Sequence, residues 1–357
     1  MNSAARNMAP AIEVRGRTIG PGHPTYVIAE MSANHGGSFD RALRIVEAAA
    51  EAGADAIKVQ TYTPDTLTIP SDRKEFRIEG GTLWDGRTLY DLYGEATMPW
   101  EWQPKLQARA EELGLHFLST AYDTSAVDFL ERIGVPAHKV ASFELVDLAL
   151  IQTMARTGKP LILSTGMATL EEIEVAVHAA RHAGASQIAL LKCNSAYPAP
   201  PEEMNLRTIP DLARAFEVPI GLSDHTLGTT VPVAAVSLGA CIVEKHFTLS
   251  RDLTGPDSAF SLEPGEFGAM VEAIRTTEKA LGSIRYGLTA AEAKSRVFRR
   301  SLFVIRDVKA GQPLTQEDVR AIRPGHGLAP RHLPDVLGRK AARDIARGTP
   351  LDWSMVT

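Results

Sequence analysis

The sequence predicts an α/β chain in two parts: a (β/α)8 TIM barrel followed by a small C-terminal domain. Three observations carry this reading. Eight short β-rich runs alternate with amphipathic segments through about residue 285, glycines close most of the helix-like segments, and the rhythm changes to a short repeat beyond residue 299. A length of 357 residues suits one large barrel with a small partner. An open doubly wound sheet competes, but it does not need eight units.

The β-rich runs are 26–30, 56–60, 116–119, 138–141, 161–164, 188–192, 220–223 and 242–246. Helix-like stretches at 39–52, 102–113, 126–133, 170–183 and 232–238 lie between them, with Gly53, Gly114, Gly134, Gly184 and Gly239 at their exits. Thr169 followed by Glu172 reads as a capping box opening the helix after the fifth strand. The barrel predicts polar side chains at the C-terminal strand ends, where barrel active sites sit. The eight runs end that way, in Glu30, Lys58 with Gln60, Ser119 with Thr120, Lys139 with Ser142, Ser164 with Thr165, Lys192 to Ser195, Ser223 to His225, and Glu244 to His246. In the tail, Asp307, Gly311, Pro313, Leu314 and Val319 recur at one constant offset as Asp344, Gly348, Pro350, Leu351 and Val356. Such a repeat predicts two similar turn-and-clip units. The expected division is an N-terminal extension and lead-in over 1–19, the barrel over 20–285, a linker over 286–298 and the small domain over 299–357.

Lys and Arg number 38 against 43 Asp and Glu, a net charge of −5 with no basic run, which argues against nucleic acid or a membrane surface as partner. Two cysteines, Cys193 and Cys241, cannot build a disulfide framework or a zinc ribbon, so a reducing compartment is expected. The first ten residues have no signal-like apolar core. The apolar stretch 231–243 is broken by Pro232, Ser237 and Gly239 and falls short of the ~18–20 residues a span needs. The expected location is cytoplasmic.

His225 and His246 end neighbouring barrel strands. They can share one divalent metal with positions left open for substrate, or be two hydrogen-bonded histidines at the mouth. His178 and His182 have metal-like helical spacing, but their helix lies outside the barrel, so they read as a solvated face. Lys58 and Lys139 suit either Schiff-base chemistry or fixed cations. With Thr120, Ser142, Ser164 and Ser223 they make a ring of donors for a small polyanion, to which the helix N-terminus after Ser164-Thr165-Gly166 adds backbone donors. Glu30 is a candidate general base, or the partner of a rim lysine. Cys193 and Cys241 read as inert core thiols, because no histidine-paired motif surrounds either.

Several of these segments resemble the sialic acid synthase family: Val27-Ile-Ala-Glu-Met-Ser-Ala-Asn-His35, Lys58-Val-Gln-Thr61, His138-Lys-Val-Ala-Ser142, Ser164-Thr-Gly-Met167, Ala196-Tyr-Pro198, Gly221-Leu-Ser-Asp-His225 and Glu244-Lys-His-Phe-Thr248. The tail, with Arg323-Pro-Gly-His-Gly327, is similar to that family's antifreeze-like (SAF) domain, a β-clip. The resemblance implies a metal-dependent condensation of phosphoenolpyruvate with an amino sugar aldehyde, releasing phosphate. It makes His225 and His246 ligands of Mn2+ or Mg2+, and Glu30 the base that activates water. It places Lys58, Thr120, Lys139, Ser142, Ser164, Ser195 and Ser223 at phosphoenolpyruvate, and Glu144, Tyr197, Asp257 and Arg323 near the sugar. Ser195 stands where N-acetylneuraminate synthases carry Asn. The family's domain-swapped homodimer implies that Arg323 acts in trans.

The segment 63–102 is long for a βα loop and carries Phe76, Trp84, Tyr90, Tyr93, Trp100 and Trp102. These aromatics can form an apolar wall for a deoxy sugar or pack the loop onto the barrel. This segment and Ala29 to His35 look most like pseudaminic acid synthases, which implies 2,4-diacetamido-2,4,6-trideoxy-L-altrose as substrate. Precursors of legionaminic and N-acetylneuraminic acid are the alternatives. A metal-independent Schiff-base aldolase on Lys139, separable by borohydride trapping with pyruvate, and a non-catalytic sugar-binding barrel are the readings from other classes.

Overall fold

A computed structural model describes residues 11–253 and 255–357; the expected extension from Met1 to Pro10 lies outside the described residues. The chain forms two compact units, one ending at Gly282 and the other running from Ser283 to Thr357. Among the described residues, no helix is long and apolar enough to cross a membrane.

The first unit opens with an antiparallel hairpin, β1 (Ile12–Val14) and β2 (Arg17–Ile19). Eight strands follow: β3 (Tyr26–Glu30), β4 (Ala56–Thr61), β5 (His116–Ala121), β6 (His138–Val140), β7 (Leu161–Ser164), β8 (Ile188–Cys193), β9 (Ile220–Asp224) and β10 (Ile242–His246). They pair in parallel in chain order, and β10 returns to β3 to close the barrel. The expected runs match these strands to within a residue or two at their ends. Several helices escaped the sequence pattern, among them Leu89–Ala96 inside the segment read as a long loop, and three on the barrel. Leu148–Ala155 is short and nearly all apolar, whereas Thr208–Phe216 and Pro264–Leu281 carry prolines, Pro210 and Pro264, that a first turn tolerates.

Strand alternation explains what fills the barrel. Val27, Ile57, Phe117, Leu163, Leu190, Leu222 and Val243 face outward and join the cluster under the helices. Tyr26, Ile28, Ala56, Leu118, Ala137, Ile162, Ala189, Leu191 and Ile242 face inward and form a separate cluster. Ile12, Val14 and Ile19 of the hairpin complete that inner cluster. Residues 12–19 therefore pack with the barrel interior and are not a trailing lead-in; strands of three residues are too short to show a period. Gly221 is required inside, because a Cβ there would sit 2.6 Å from both Ile242 and Leu191 side chains.

In the second unit, β11 (Ser301–Val304) and β12 (Val319–Ile322) pair antiparallel. The two repeats clasp each other. Asp307 accepts the Arg347 backbone N–H at 2.8 Å, and Asp344, its counterpart, accepts that of Ala310 at 2.8 Å. Leu314, Leu351, Val319 and Val356, matched pairs in the repeat, share one small core. The stretch expected as linker contains a capped helix, Ala290–Ala293, and a 3-10 segment, Lys294–Phe298.

Candidate active site

The inward parity that buries aliphatic side chains in the lower barrel brings Glu30, Lys58, Thr120, Lys139, Ser164, Ser223, Glu244 and His246 together at the C-terminal end. Register pairs Glu30 with Lys58 on one side and with His246 on the other. The Lys58 ammonium lies 2.6 Å from Glu30 Oε2 and 3.5 Å from Glu244 Oε1, and donates to Thr120 Oγ1 at 3.1 Å. Ser223 Oγ donates to Glu244 Oε1 at 3.5 Å. Burial pushes the Glu30 carboxyl up against the pull of Lys58, and the nearby Glu244 charge adds to the rise. Burial acts the same way on Glu244, but Lys58, Lys139 and His225 outweigh it and hold that carboxyl down. Gln60 donates to Glu30 Oε1 at 3.0 Å and to Ser32 Oγ at 2.9 Å, and Ser32 donates to Asp257 at 2.5 Å. Glu30 and Asp257 are thus joined by a chain of hydrogen bonds.

Lys139 donates to Ser164 Oγ at 2.7 Å and to the Val140 carbonyl at 2.8 Å, and burial lowers its pKa. The Gly166 N–H donates to Ser142 Oγ at 3.1 Å. A Cβ on Gly166 would lie 2.2 Å from Ser195 Oγ and 2.6 Å from Ser142 Oγ, so glycine alone permits this cradle of hydroxyls. Beside it a cavity of about 350 Å³ is lined by Met167, Lys192, Cys193, Asn194, Ser195 and Ala196.

The His225 and His246 ring centroids are 5.3 Å apart. Tyr197 lies 4.3 Å from His225, and Phe260 lies 4.9 Å from His246. His225 Nδ1 is 2.7 Å from the Asn194 carbonyl. A carbonyl only accepts, so Nδ1 carries a proton and Nε2 is the nitrogen left to face a ligand; burial lowers the His225 pKa, but Cys193 and that carbonyl outweigh it and raise it. Burial holds His246 well below the usual imidazole range, and the cations around it add to this, so it is neutral at pH 7. Its Nδ1 is buried without a partner. The two imidazoles at neighbouring strand ends, of which His246 is neutral, have donor nitrogens that fit a divalent ion; among the described residues no third His, Cys, Asp or Glu completes a cluster, which leaves positions for water and substrate.

Glu144, on the 3-10 turn Phe143–Val146, keeps Oε2 buried and unpartnered, and burial raises its carboxyl to about 7. Tyr197 sits against the histidines, as above, while Arg323 lies exposed just past β12 in the second unit. His178 and His182 are exposed on the helix Leu170–His182.

Three readings need correction or addition. Cys193 is not an isolated core thiol: its Sγ is 3.8 Å from His225 Nδ1. The histidine comes from the neighbouring strand end, where no local motif could reveal it. The aromatic segment divides. Trp100 packs on Phe129 and Trp102 on Phe39, away from the mouth, whereas Trp84 lies 5.7 Å from Tyr197 and donates to the Pro256 carbonyl at 3.0 Å. Among the described residues, Trp84 is the one aromatic of that segment that stacks on a site residue. Glu244 was visible as a strand-end carboxylate, but its place opposite Glu30 across Lys58 needed the closed register.

The SAF domain pattern matches residues 299–357. The chain is 44% identical to the pseudaminic acid synthase of Campylobacter jejuni over 92% of its length and 96% of that protein. It is 36% identical to the N,N'-diacetyllegionaminic acid synthase of Legionella pneumophila, over 93% of this chain and 94% of that one. Among solved structures it is similar to an N-acetylneuraminic acid synthetase from Leptospira borgpetersenii, with a TM-score of 0.73 and 33% identity, covering 81% of this chain and 96% of that one. With the NeuB family pattern matching residues 45–286 and these likenesses spanning both units, the chain belongs to the NeuB family.

Proposed function

We propose that the chain is a pseudaminic acid synthase, joining phosphoenolpyruvate, 2,4-diacetamido-2,4,6-trideoxy-L-altrose and water into pseudaminic acid and phosphate. The observation that carries this is one barrel mouth holding a histidine pair, two buried lysines and a buried carboxylate. The 44% identity to a pseudaminic acid synthase selects the sugar.

In this reading Lys139, Ser142, Ser164, Ser195 and the Gly166 N–H, with Lys58, Thr120 and Ser223, hold the phosphate and carboxylate of phosphoenolpyruvate. Its C3 bonds to the aldehyde carbon, water adds at C2, and the C–O bond to phosphate breaks. Mn2+ or Mg2+ held by His225 and His246 would supply a Lewis acid for the aldehyde oxygen. Glu30 takes the proton of the attacking water, and the lysine ammonium groups offset charge on the departing phosphate. Glu144, Tyr197 and Asp257 face the sugar, and Arg323 joins them from the partner subunit of a homodimer.

Substrate choice tests the sugar assignment. The deoxy-altrose is expected to be turned over best, the manno diacetamido isomer less well, and N-acetylmannosamine least. A C6 hydroxyl against the face of Trp84, whose N–H is already engaged by the Pro256 carbonyl, lacks a partner there, at a cost of ~1–3 kcal/mol, or roughly one to two decades in kcat/KM. Trp84→Ala should shrink that gap. A preference for N-acetylmannosamine defeats the apolar-surface argument, and a preference for the manno isomer defeats only the sugar assignment.

The dimer is tested by complementation. Glu30→Gln and Arg323→Ala subunits, each inactive alone, are expected to recover activity when mixed, because one pairing of sites is then intact. Verified mixed dimers without recovery show that each subunit supplies its own arginine.

A further inference from the structure

We infer that the buried Asp224–Lys245 ion pair is the device that positions His225 against His246, an inference that rests on reading those histidines as metal ligands. Asp224 and Lys245 are both fully buried, with Nζ 2.5 Å from Oδ2. They are registered partners, the last rung of the β9–β10 ladder. His225 is the next residue, beyond the end of β9, so no rung of the sheet fixes it.

Lys245 supplies what the ladder does not. Its ammonium contacts Asp224 and also donates to the Thr226 carbonyl, so one cation grips the residues on both sides of His225. Thr226 closes the loop: its N–H reaches Asp224 Oδ1 at 3.1 Å and its hydroxyl reaches Oδ2 at 3.1 Å. Lys245 is itself the neighbour of His246, and therefore ties both ligand segments together. From the opposite side, Ala199 donates to the His225 carbonyl at 3.0 Å and the Asn194 carbonyl holds Nδ1.

By strand alternation Asp224 and Lys245 point outward, away from Glu244 and His246. They cannot touch substrate, so they are positioning residues. A buried ion pair is on average no more stabilising than apolar side chains of the same volume. Bulk stability therefore does not account for placing this pair behind the two histidines, and control of geometry does.

The test is Mn2+ titration of the full-length protein, followed by the electron paramagnetic resonance signal of free Mn2+. Asp224→Asn and Lys245→Met are expected to weaken Mn2+ binding by about 10–100-fold, as loss of a ligand-orienting partner does. Phosphoenolpyruvate binding without metal should stay near wild type. Excess Mn2+ should restore much of the lost turnover, which a general folding defect would not allow. Thr226→Val removes one hydrogen bond to Asp224 and leaves no unpaired charge; a smaller loss of Mn2+ affinity is expected. If wild type binds no Mn2+, the metal reading itself fails. If wild type binds it and the folded variants bind it equally tightly, the positioning role fails. Should both charge variants fail to fold, unchanged affinity in Thr226→Val overturns the inference.

Discussion

His225→Ala and His246→Ala are each expected to lower kcat/KM by about 10³-fold or more while leaving Tm near wild type. The reasoning is energetic. On the proposed metal role, Lewis-acid polarisation of the aldehyde would be worth several kcal/mol, and about 4 kcal/mol corresponds to about 10³ in rate. Neither imidazole belongs to the buried Glu30–Lys58 or Asp224–Lys245 ion pairs, so truncation leaves both pairs intact. Chelation should silence wild type, and Mn2+ should restore wild type but neither variant. His178→Ala and His182→Ala should act like wild type, because both rings sit exposed on the outer helix Leu170–His182. Full turnover by a demonstrably metal-free preparation would overturn the Lewis-acid role.

Much of the barrel is legible in the chain because each unit announces itself locally. An apolar run ends in a polar residue, a glycine ends the helix, and alternation tells which strand residues look inward. That alone gathers Glu30, Lys58, Lys139, His225 and His246 at one end. What escapes is whatever depends on closure. Glu244 faces Glu30 across Lys58 only because β10 returns to β3, and Cys193 meets His225 only because β8 lies beside β9. The aromatic segment misleads for a related reason. Composition cannot say that Trp100 and Trp102 pack on Phe129 and Phe39 while Trp84 alone reaches Tyr197. The repeat in the tail is the converse case. Its spacing matches Asp307 with Asp344, and the fold uses the two aspartates reciprocally.

Glu30→Gln is expected to reduce kcat by 10²–10⁴-fold, the usual range for losing a positioned general base. Glutamine keeps the volume of the side chain and one acceptor oxygen, so Lys58 and Gln60 retain neighbours of nearly the same shape. On the proposed role of Glu30 as base, what disappears is the site that takes the proton from water. The pH profile separates this from a packing effect. Burial, with Glu244 close by, raises the Glu30 carboxyl above its ordinary value of 4.5. The base works only when deprotonated, so wild-type activity should fall with decreasing pH at a midpoint above 4.5, and Glu30→Gln should lose that acidic limb. Glu244→Gln offers the internal control. Removing its charge takes away one of the causes that raise Glu30, so the acidic limb should move to lower pH. Glu30→Asp, which keeps the charge on a shorter arm, should retain the limb with reduced kcat. An unchanged acidic limb in Glu30→Gln would assign the titrating group elsewhere and leave Glu30 as a partner for Lys58.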